Sequence, residues 1–163
     1  MCNAAAASLA KADTFGTFTL NYSGASFGNA ATATGQIVID ETLLPNPGST
    51  GGSFANYLQN LNLTVSGATT GNGTYSLTDF STFIWNTNGA TLDFTQELVG
   101  QATSGSPWGT TSGPAGDFNL FASTASAPTG YSPFVLSTSS GSGDRLALSN
   151  FTPADTPNHR RTL

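Results

Sequence analysis

The chain has 163 residues, of which only 4 are basic and 9 are acidic, and its formal net charge at neutral pH is −5. This length fits one domain, and the acidic balance argues against nucleic acid as a partner, because phosphates bind clustered Lys and Arg. No run of about 18 apolar residues occurs, so no membrane span is predicted. Ser and Thr supply 44 residues and Gly another 19, which is typical of an all-β secreted domain.

Residues 1–12 resemble the remnant of an export leader. Residues 10–12, Ala-Lys-Ala, fit the small-x-small pattern of a signal-peptidase site, with Asp13 as the mature start. A helical or disordered N-terminal extension is the alternative interpretation. The single cysteine, Cys2, excludes an intramolecular disulfide, which suits a bacterial exterior better than a eukaryotic one.

Alternating apolar and polar residues predict a series of short strands within residues 13–152, which form the single predicted domain. Phe15 to Tyr22, Thr32 to Thr42 and Tyr57 to Val65 each place most of their large apolar side chains on one face. A loop rich in Pro, Gly and Ser, Leu43 to Ser53, separates the second strand from the third.

The stretch from Thr74 to Leu98 predicts a central hairpin. Two strand-like runs meet at Asn88 and Gly89, which both tolerate the positive φ that a type I′ turn requires. Because a two-stranded ribbon is only marginally stable by itself, the other strands are expected to pack against this hairpin.

The second half of the chain combines an irregular segment with shorter strands. Gly100 to Gly116 shows no periodicity and carries Trp108. Three strands are predicted after it: Asp117 to Ala122, Ser132 to Ser139 and Arg145 to Phe151. Residues 153–163 contain two prolines and are expected to form a flexible tail.

The pattern as a whole predicts an all-β fold, an antiparallel β-sandwich of jelly-roll-like type with about seven or eight strands or more. A partly closed barrel is the near alternative. The pairs Thr17/Thr19 and Thr32/Thr34 would suit an ice-binding solenoid, but their spacing does not recur along the chain.

Side chains that support catalysis are scarce. The one histidine, His159, lies in the predicted tail, so neither a Ser-His-Asp arrangement nor a His/Cys metal site is supported. Lys11 is the only lysine, and no phosphate-binding Gly-rich loop leads to a lysine. We therefore predict no enzymatic activity, no cofactor and no metal site.

The acidic residues offer only weak pairings. Asp93 and Glu97 share one face of a predicted strand at a separation of roughly 13 Å, whereas glycosidases need about 5–9.5 Å between their carboxyl groups. A solvated sheet face is the preferred interpretation. Asp79 is expected to pair with Arg145, the only basic residue inside the predicted fold. Calcium could bind acidic side chains together with loop carbonyls, and the candidate acids are Asp40, Glu41, Asp117 and Asp144. No Asp-x-Asp-x-Asp loop occurs.

Three aromatic residues are the candidate ligand-binding residues: Trp108, Tyr131 and Tyr57. An exposed aromatic ring can stack on a sugar, and a Trp in a Gly/Pro loop is either a lid over the core or an exposed contact. Trp85 is expected in the core or at a sheet edge. Four Asn-x-Ser/Thr sequons are expected by chance in a chain so rich in Ser and Thr: Asn21, Asn62, Asn72 and Asn150.

The chain contains, in this order, A-T-A-T-G-Q-I-V-I-D-E-T-L-L-P-N-P-G, L-N-L-T-V-S-G-A-T-T-G-N-G-T-Y, G-D-F-N-L-F and S-G-D-R-L-A-L-S-N-F-T-P. Over roughly Phe15 to Pro153, these segments resemble the ectodomains of PEP-CTERM proteins, exosortase-sorted secreted proteins of environmental Gram-negative bacteria. The resemblance implies export and a surface or matrix role beside exopolysaccharide, and it brings no catalytic motif. The family's C-terminal signal, Pro-Glu-Pro before an apolar helix, does not occur, so either the signal was removed or the chain is a released relative.

These observations predict a non-enzymatic extracellular or cell-surface structural protein of a bacterial matrix or biofilm. Charged residues, especially Lys, usually guard the edges of sheets. Because no lysine follows Lys11, self-assembly is also expected. In that hypothesis an N-terminal strand such as Phe15 to Tyr22 adds to the sheet edge of a neighbouring copy. The alternative function is a carbohydrate-binding module that contacts exopolysaccharide.

Overall fold

The computed structural model describes residues 14–54, 56–111, 115–122, 134–136 and 144–154. The predicted leader, Tyr131 and residues 155–163 of the predicted tail lie outside these ranges. Within them the fold is all-β, with two short 3-10 helices (Ala25–Phe27 and Leu77–Asp79) and no α-helix. The strands are β1 (Phe15–Ser23), β2 (Thr32–Asp40), β3 (Ser49–Gly52), β4 (Leu58–Ser66), β5 (Gly73–Ser76), β6 (Phe80–Asn86), β7 (Asp117–Ala122), β8 (Phe134–Leu136) and β9 (Asp144–Pro153).

The strands form two antiparallel sheets that face each other. The first sheet has the order β5-β4-β2-β1-β9-β8 and the second has the order β3-β6-β7. Alternate residues of the first sheet are buried, as in β4, where Leu61, Leu63 and Val65 point inward. The predicted antiparallel sandwich is confirmed.

Strand β1 lies in the interior of the first sheet, which corrects the expected role of Phe15 to Tyr22. β2 pairs with one side of it and β9 with the other. Because hydrogen bonds to β2 and β9 already occupy the backbone N–H and C=O groups on both sides of β1, this strand cannot add to the edge of a neighbouring copy without leaving its own sheet. The sheet also includes the start of the predicted tail, since β9 continues to Pro153 and the Ala154 N–H donates to the Thr17 carbonyl at 2.8 Å.

The predicted hairpin is correct at its turn and wrong in its second strand. Asn88 and Gly89 adopt positive φ values of 49° and 78°, but no strand follows them between residues 90 and 105. The Asp93 carboxylate accepts the Thr95 N–H at 2.9 Å. Such side-chain bonds to the local backbone compete with a sheet ladder, so the alternating pattern forms a loop.

The first half of the predicted hairpin is divided between the two sheets. Ser76 and Asp79 form a capping box, in which the Ser76 N–H donates to the Asp79 carboxylate at 2.7 Å. The resulting 3-10 turn ends β5 and redirects the chain into β6 of the other sheet. β6 pairs there with β7 and with β3, a Ser-Thr-Gly-Gly strand that lies inside the predicted Leu43 to Ser53 loop.

The core contains a cluster of aromatic rings centred on Phe151. Its ring lies 5.1 Å from Phe18 within the first sheet and 5.5 Å from Phe118 of the second, between ring centroids. Trp85 and Trp108 contact the same ring at 6.4 Å and 5.8 Å. Aromatic pairs at these separations contribute about 0.5–1.5 kcal/mol each beyond burial, so this cluster joins the two sheets.

Glu97 ties the loop after β6 to β9. One carboxylate oxygen, Oε1, accepts the N–H groups of Val99 at 2.9 Å and Phe151 at 2.6 Å, and the other accepts the Thr152 hydroxyl. The Leu98 N–H in turn donates to the Phe151 carbonyl at 3.0 Å. Loop and strand are therefore joined beside the aromatic cluster.

We expect Glu97→Ala to lower the free energy of unfolding by about 1–3 kcal/mol, because the buried Phe151 N–H loses its acceptor. Glu97→Gln keeps one oxygen acceptor at the same place, and it should lose less than half as much. Urea denaturation of the two variants measures the difference. Equal losses in both variants would contradict this role for the Glu97 oxygen.

Candidate binding surfaces

The outer face of the first sheet carries two rows of uncharged polar side chains, which we call the hydroxyl–amide array. Strand pairing places the first row at Thr74, Thr64, Thr34, Asn21 and Asn150. The same pairing places the second row at Ser76, Asn62, Gln36, Thr19 and Thr152. With strands about 4.8 Å apart, each row crosses five strands over about 19 Å, and the rows lie roughly 6.6 Å apart.

The array follows from the alternation that builds the core. In β4, Asn62 and Thr64 flank the buried Leu63, so burial of the leucine turns both polar side chains to solvent. Thr19 and Asn21 of the central strand are half-buried, while the other members of the array are exposed. The Thr64 and Thr74 hydroxyls lie 3.4 Å apart across neighbouring strands.

The array carries no charge, and most of its members can both donate and accept hydrogen bonds. The exceptions are the Ser76 and Thr152 hydroxyls at the two ends of the second row, which donate to the Asp79 and Glu97 carboxylates. Hydroxyl groups and side-chain amides each offer both functions, and none of the ten side chains titrates near neutral pH. Three of the four sequons belong to the array, at Asn21, Asn62 and Asn150. In each, a buried residue separates two outward polar residues, so the sequons are a consequence of strand alternation.

A separate cleft lies between β7 and β9, and we call it the Asp117 cleft. Its volume is about 120 Å³. It is lined by Phe27, Gly109, Thr110, Thr111, Asp117, Phe118, Asn119, Arg145, Ala147 and Leu148. The Arg145 guanidinium lies over the Phe27 ring, 4.9 Å from its centroid.

The Asp117 carboxyl group is mostly buried in this cleft. Burial raises its pKa from 3.8 to about 6, although the Asn119 side-chain N–H, which donates to it at 2.8 Å, acts in the opposite direction. Behind it, burial and the nearby Asp117 carboxylate raise the pKa of the Tyr22 phenol well above its ordinary value. The cleft therefore holds an acid whose charge is costly for the fold.

The predicted ligand-binding aromatics do not come together. Trp108 has an exposed fraction of 0%, and its indole N–H donates to the Asn86 carbonyl at 2.8 Å. The loop Trp is thus the lid over the core, which is one of the two interpretations that the sequence leaves open, and neither face of its ring is exposed to a ligand. Tyr57 is half-buried against Phe83, with ring centroids 5.7 Å apart, and Tyr131 lies outside the described residues. Trp85 is a core residue, as expected.

The acidic residues serve mainly as backbone caps. Asp79 closes the capping box, whereas Arg145 stacks on Phe27, so the predicted Asp79–Arg145 pair is wrong. Asp93 and Glu97 lie in a loop rather than on one strand face, and Glu97 binds the backbone of β9.

The acids considered for calcium are dispersed. Asp40 accepts the Thr42 and Leu43 N–H groups at 2.9 and 3.2 Å, and Asp144 accepts the Thr69 N–H. Asp117 lies in its own cleft. Among the described residues, no group of three or more His, Cys, Asp or Glu side chains is close enough to hold a metal ion.

Neither the array nor the Asp117 cleft is predicted from the sequence as a binding site. The alternation of apolar and polar residues predicts which side chains of each strand face outward. Their alignment into rows depends on the register of five strands. The sequence does not relate Asp117 to Arg145, and only the fold brings these residues of β7 and β9 into one cleft.

No helix in the described part of the chain has the length and apolar character needed to cross a membrane. No protein-family model, curated protein or solved structure matches the chain.

We expect the protein to lose about 2 kcal/mol of stability as the pH rises from 4 to 8. The native state holds a proton on Asp117 up to about pH 6, whereas the unfolded state releases it near its ordinary pKa of 3.8, so folding is favoured at the lower pH. Asp117→Asn should remove this loss and be more stable than the wild type at pH 8. Thermal denaturation across this pH range measures both effects.

Asp93→Asn is the matched control. Hydrogen bonds from Thr95 lower the pKa of Asp93, so its ionisation favours the folded state and this variant should keep the decline towards high pH. An Asp117→Asn protein that still lost stability between pH 4 and 8 as the wild type does would contradict the assignment.

Proposed function

We propose that this chain is a non-enzymatic structural protein of the bacterial cell surface or extracellular matrix, and that it binds polysaccharide there through the hydroxyl–amide array. The sandwich fold, the low content of charged residues and the resemblance to PEP-CTERM ectodomains support this proposal. Export is part of the same proposal, because the resemblance implies it.

The observation that carries the proposal is the alignment of ten uncharged hydrogen-bonding side chains in two rows. A polysaccharide presents a repeating series of hydroxyl groups, each of which needs a donor or an acceptor. Single hydrogen bonds to solvent-exposed groups contribute little, but an extended polymer can contact many members of a row at once.

The absence of charge on the array selects the type of polymer. Carboxylates or sulfates on an acidic polysaccharide would be recognised by Arg or Lys side chains, and none occurs among the ten array positions. A neutral polysaccharide is therefore the preferred ligand class. None of these side chains is an acid, a base or an activated nucleophile, which favours binding over bond cleavage.

We expect the protein to co-sediment with an insoluble neutral glucan such as cellulose or curdlan, and Thr34→Ala/Gln36→Ala to weaken this binding about tenfold, because two central contacts are lost. Thr91→Ala/Gln96→Ala removes the same two residue types from exposed positions in the loop after β6, and it should bind like the wild type. Thermal denaturation confirms that both variants are folded.

Two results would contradict the proposal. One is wild-type protein that binds none of a panel of neutral polysaccharides. The other is array and loop variants that bind equally well.

A second candidate function, self-assembly, is favoured by one strand edge. Strand β5 pairs only with β4 and contains no charged residue in Gly73–Ser76. Apart from the Ser76 N–H, which donates to the Asp79 carboxylate, the backbone N–H and C=O groups along this edge can pair with a strand of another copy. This edge replaces β1 as the candidate contact.

We expect the apparent mass of the wild type to rise with concentration in light scattering, and Thr74→Lys to prevent this rise by charging the edge. Thr64→Lys places the same charge on the same face one strand further in, and it should still associate. Wild-type protein that stays monomeric at every concentration would exclude assembly through β5.

A further inference from the structure

Two opposite charges line the Asp117 cleft without pairing. The Asp117 carboxylate accepts the Asn119 side chain, and the Arg145 guanidinium stacks on Phe27. Neither group forms an ion pair with another described residue. A buried charge is normally paired, so the mostly buried Asp117 carboxylate lacks a partner that a ligand in the cleft could supply.

The inner end of the cleft is built to accept hydrogen bonds. Asn119 has an exposed fraction of only 4%, and its amide N–H is used by Asp117 Oδ2. Asp117 Oδ1 and Asn119 Oδ1 accept no bond from the described residues. The charged group that fits acceptors of this kind is a primary ammonium, which has three donors and a positive charge.

The rim of the cleft offers the complementary charge. Arg145 is exposed, and stacking on Phe27 holds its planar guanidinium in place. A guanidinium binds a carboxylate through two parallel N–H donors. Thr110 and Thr111 belong to the same lining. The Thr110 hydroxyl donates to the Pro107 carbonyl at 2.7 Å and can accept a bond from the ammonium end of a ligand.

We propose that the Asp117 cleft binds a small zwitterion, with its ammonium group at Asp117 and Asn119 and its carboxylate group at Arg145. Free amino acids are the simplest compounds of this class. The cleft volume of about 120 Å³ lies below the roughly 300–1,000 Å³ of sites for drug-sized ligands, which favours a ligand with few atoms.

Other ligand classes match the cleft less well. A neutral sugar would leave the Asp117 carboxylate without a counter-charge. A metal ion would need more acidic ligands than the single carboxylate in the described lining, and Arg145 would repel it. A simple carboxylate would be repelled at the inner end.

Binding is expected to depend on pH through Asp117. Ionised Asp117 attracts the ammonium group, and its pKa of about 6 places ionisation between pH 5 and pH 7.5. Among the described residues, Arg145 on β9 and Tyr22 on β1 are the other charged and titratable side chains that face this region. Burial holds the pKa of the Tyr22 phenol above this range, so Asp117 sets the pH dependence. Affinity should therefore rise from pH 5 to pH 7.5.

The test is a titration of the full chain, labelled with ¹⁵N, with four probes at pH 7.5. Free glycine is a zwitterion, ethylamine carries only the ammonium group, acetate carries only the carboxylate, and glucose is neutral. We expect glycine to shift the amide signals of residues 109–111, 117–119 and 145–148 in a saturable way, and the other probes to bind about tenfold or more weakly. Glucose that bound as well as glycine, or glycine that caused no saturable shift, would overturn the proposal.

Two variants locate the site. Asp117→Asn and Arg145→Gln should each weaken glycine binding about tenfold or more, whereas Asp93→Asn, outside the cleft, should leave it unchanged. Because Asp117→Asn relieves a buried charge, this variant is expected to fold. Equal binding by wild type and both cleft variants would exclude the cleft.

The array and the cleft can be tested independently. Thr34→Ala/Gln36→Ala should bind glycine like the wild type, and Arg145→Gln should still co-sediment with a neutral glucan. Failure of one proposal therefore leaves the other standing.

Discussion

The burial of Phe151 is the constraint on which the rest of the structure depends. Its ring lies between the two sheets, against Phe18 on one side and Phe118 on the other. Its backbone N–H and carbonyl are both bonded to the loop that contains Glu97 and Leu98. One residue therefore fixes the spacing of the sheets and the path of the long loop between β6 and β7, and no disulfide is needed for either.

The strand that contains Phe151 contributes to both candidate surfaces. In β9, the inward Phe151 forces its neighbours Asn150 and Thr152 outward, where they end the two rows of the array. Earlier in the same strand, Arg145 reaches the rim of the cleft beside β7. Strand β9 therefore contributes residues to both the array and the cleft.

The sequence predicts those parts of the fold that depend on local alternation. The bounds of β1, β7 and β9 lie close to the predicted ones. The signal is clearest in β1, which alternates large apolar residues with polar ones. Strand β3 has no such signal, since Ser-Thr-Gly-Gly contains no large apolar side chain. The loop after Asn88 alternates apolar and polar residues but forms no strand, because Asp93 and Glu97 bind nearby backbone N–H groups. The burial of Trp108 and the rows of the array depend on contacts between distant segments, which alternation does not specify.

The two surfaces differ in their effect on the stability of the folded state, and this difference bears on the function of each. Exposed Thr, Asn and Gln side chains keep their contact with water, so the array is compatible with folding at almost no cost. Asp117 is different, because a buried carboxylate without a cationic partner in the described structure destabilises the native state above about pH 6. An asparagine would fill the same space and satisfy Asn119 without that penalty. Packing therefore does not explain the acid, and polar groups that a fold holds at a cost are most often found at sites where a ligand or substrate supplies the missing interaction.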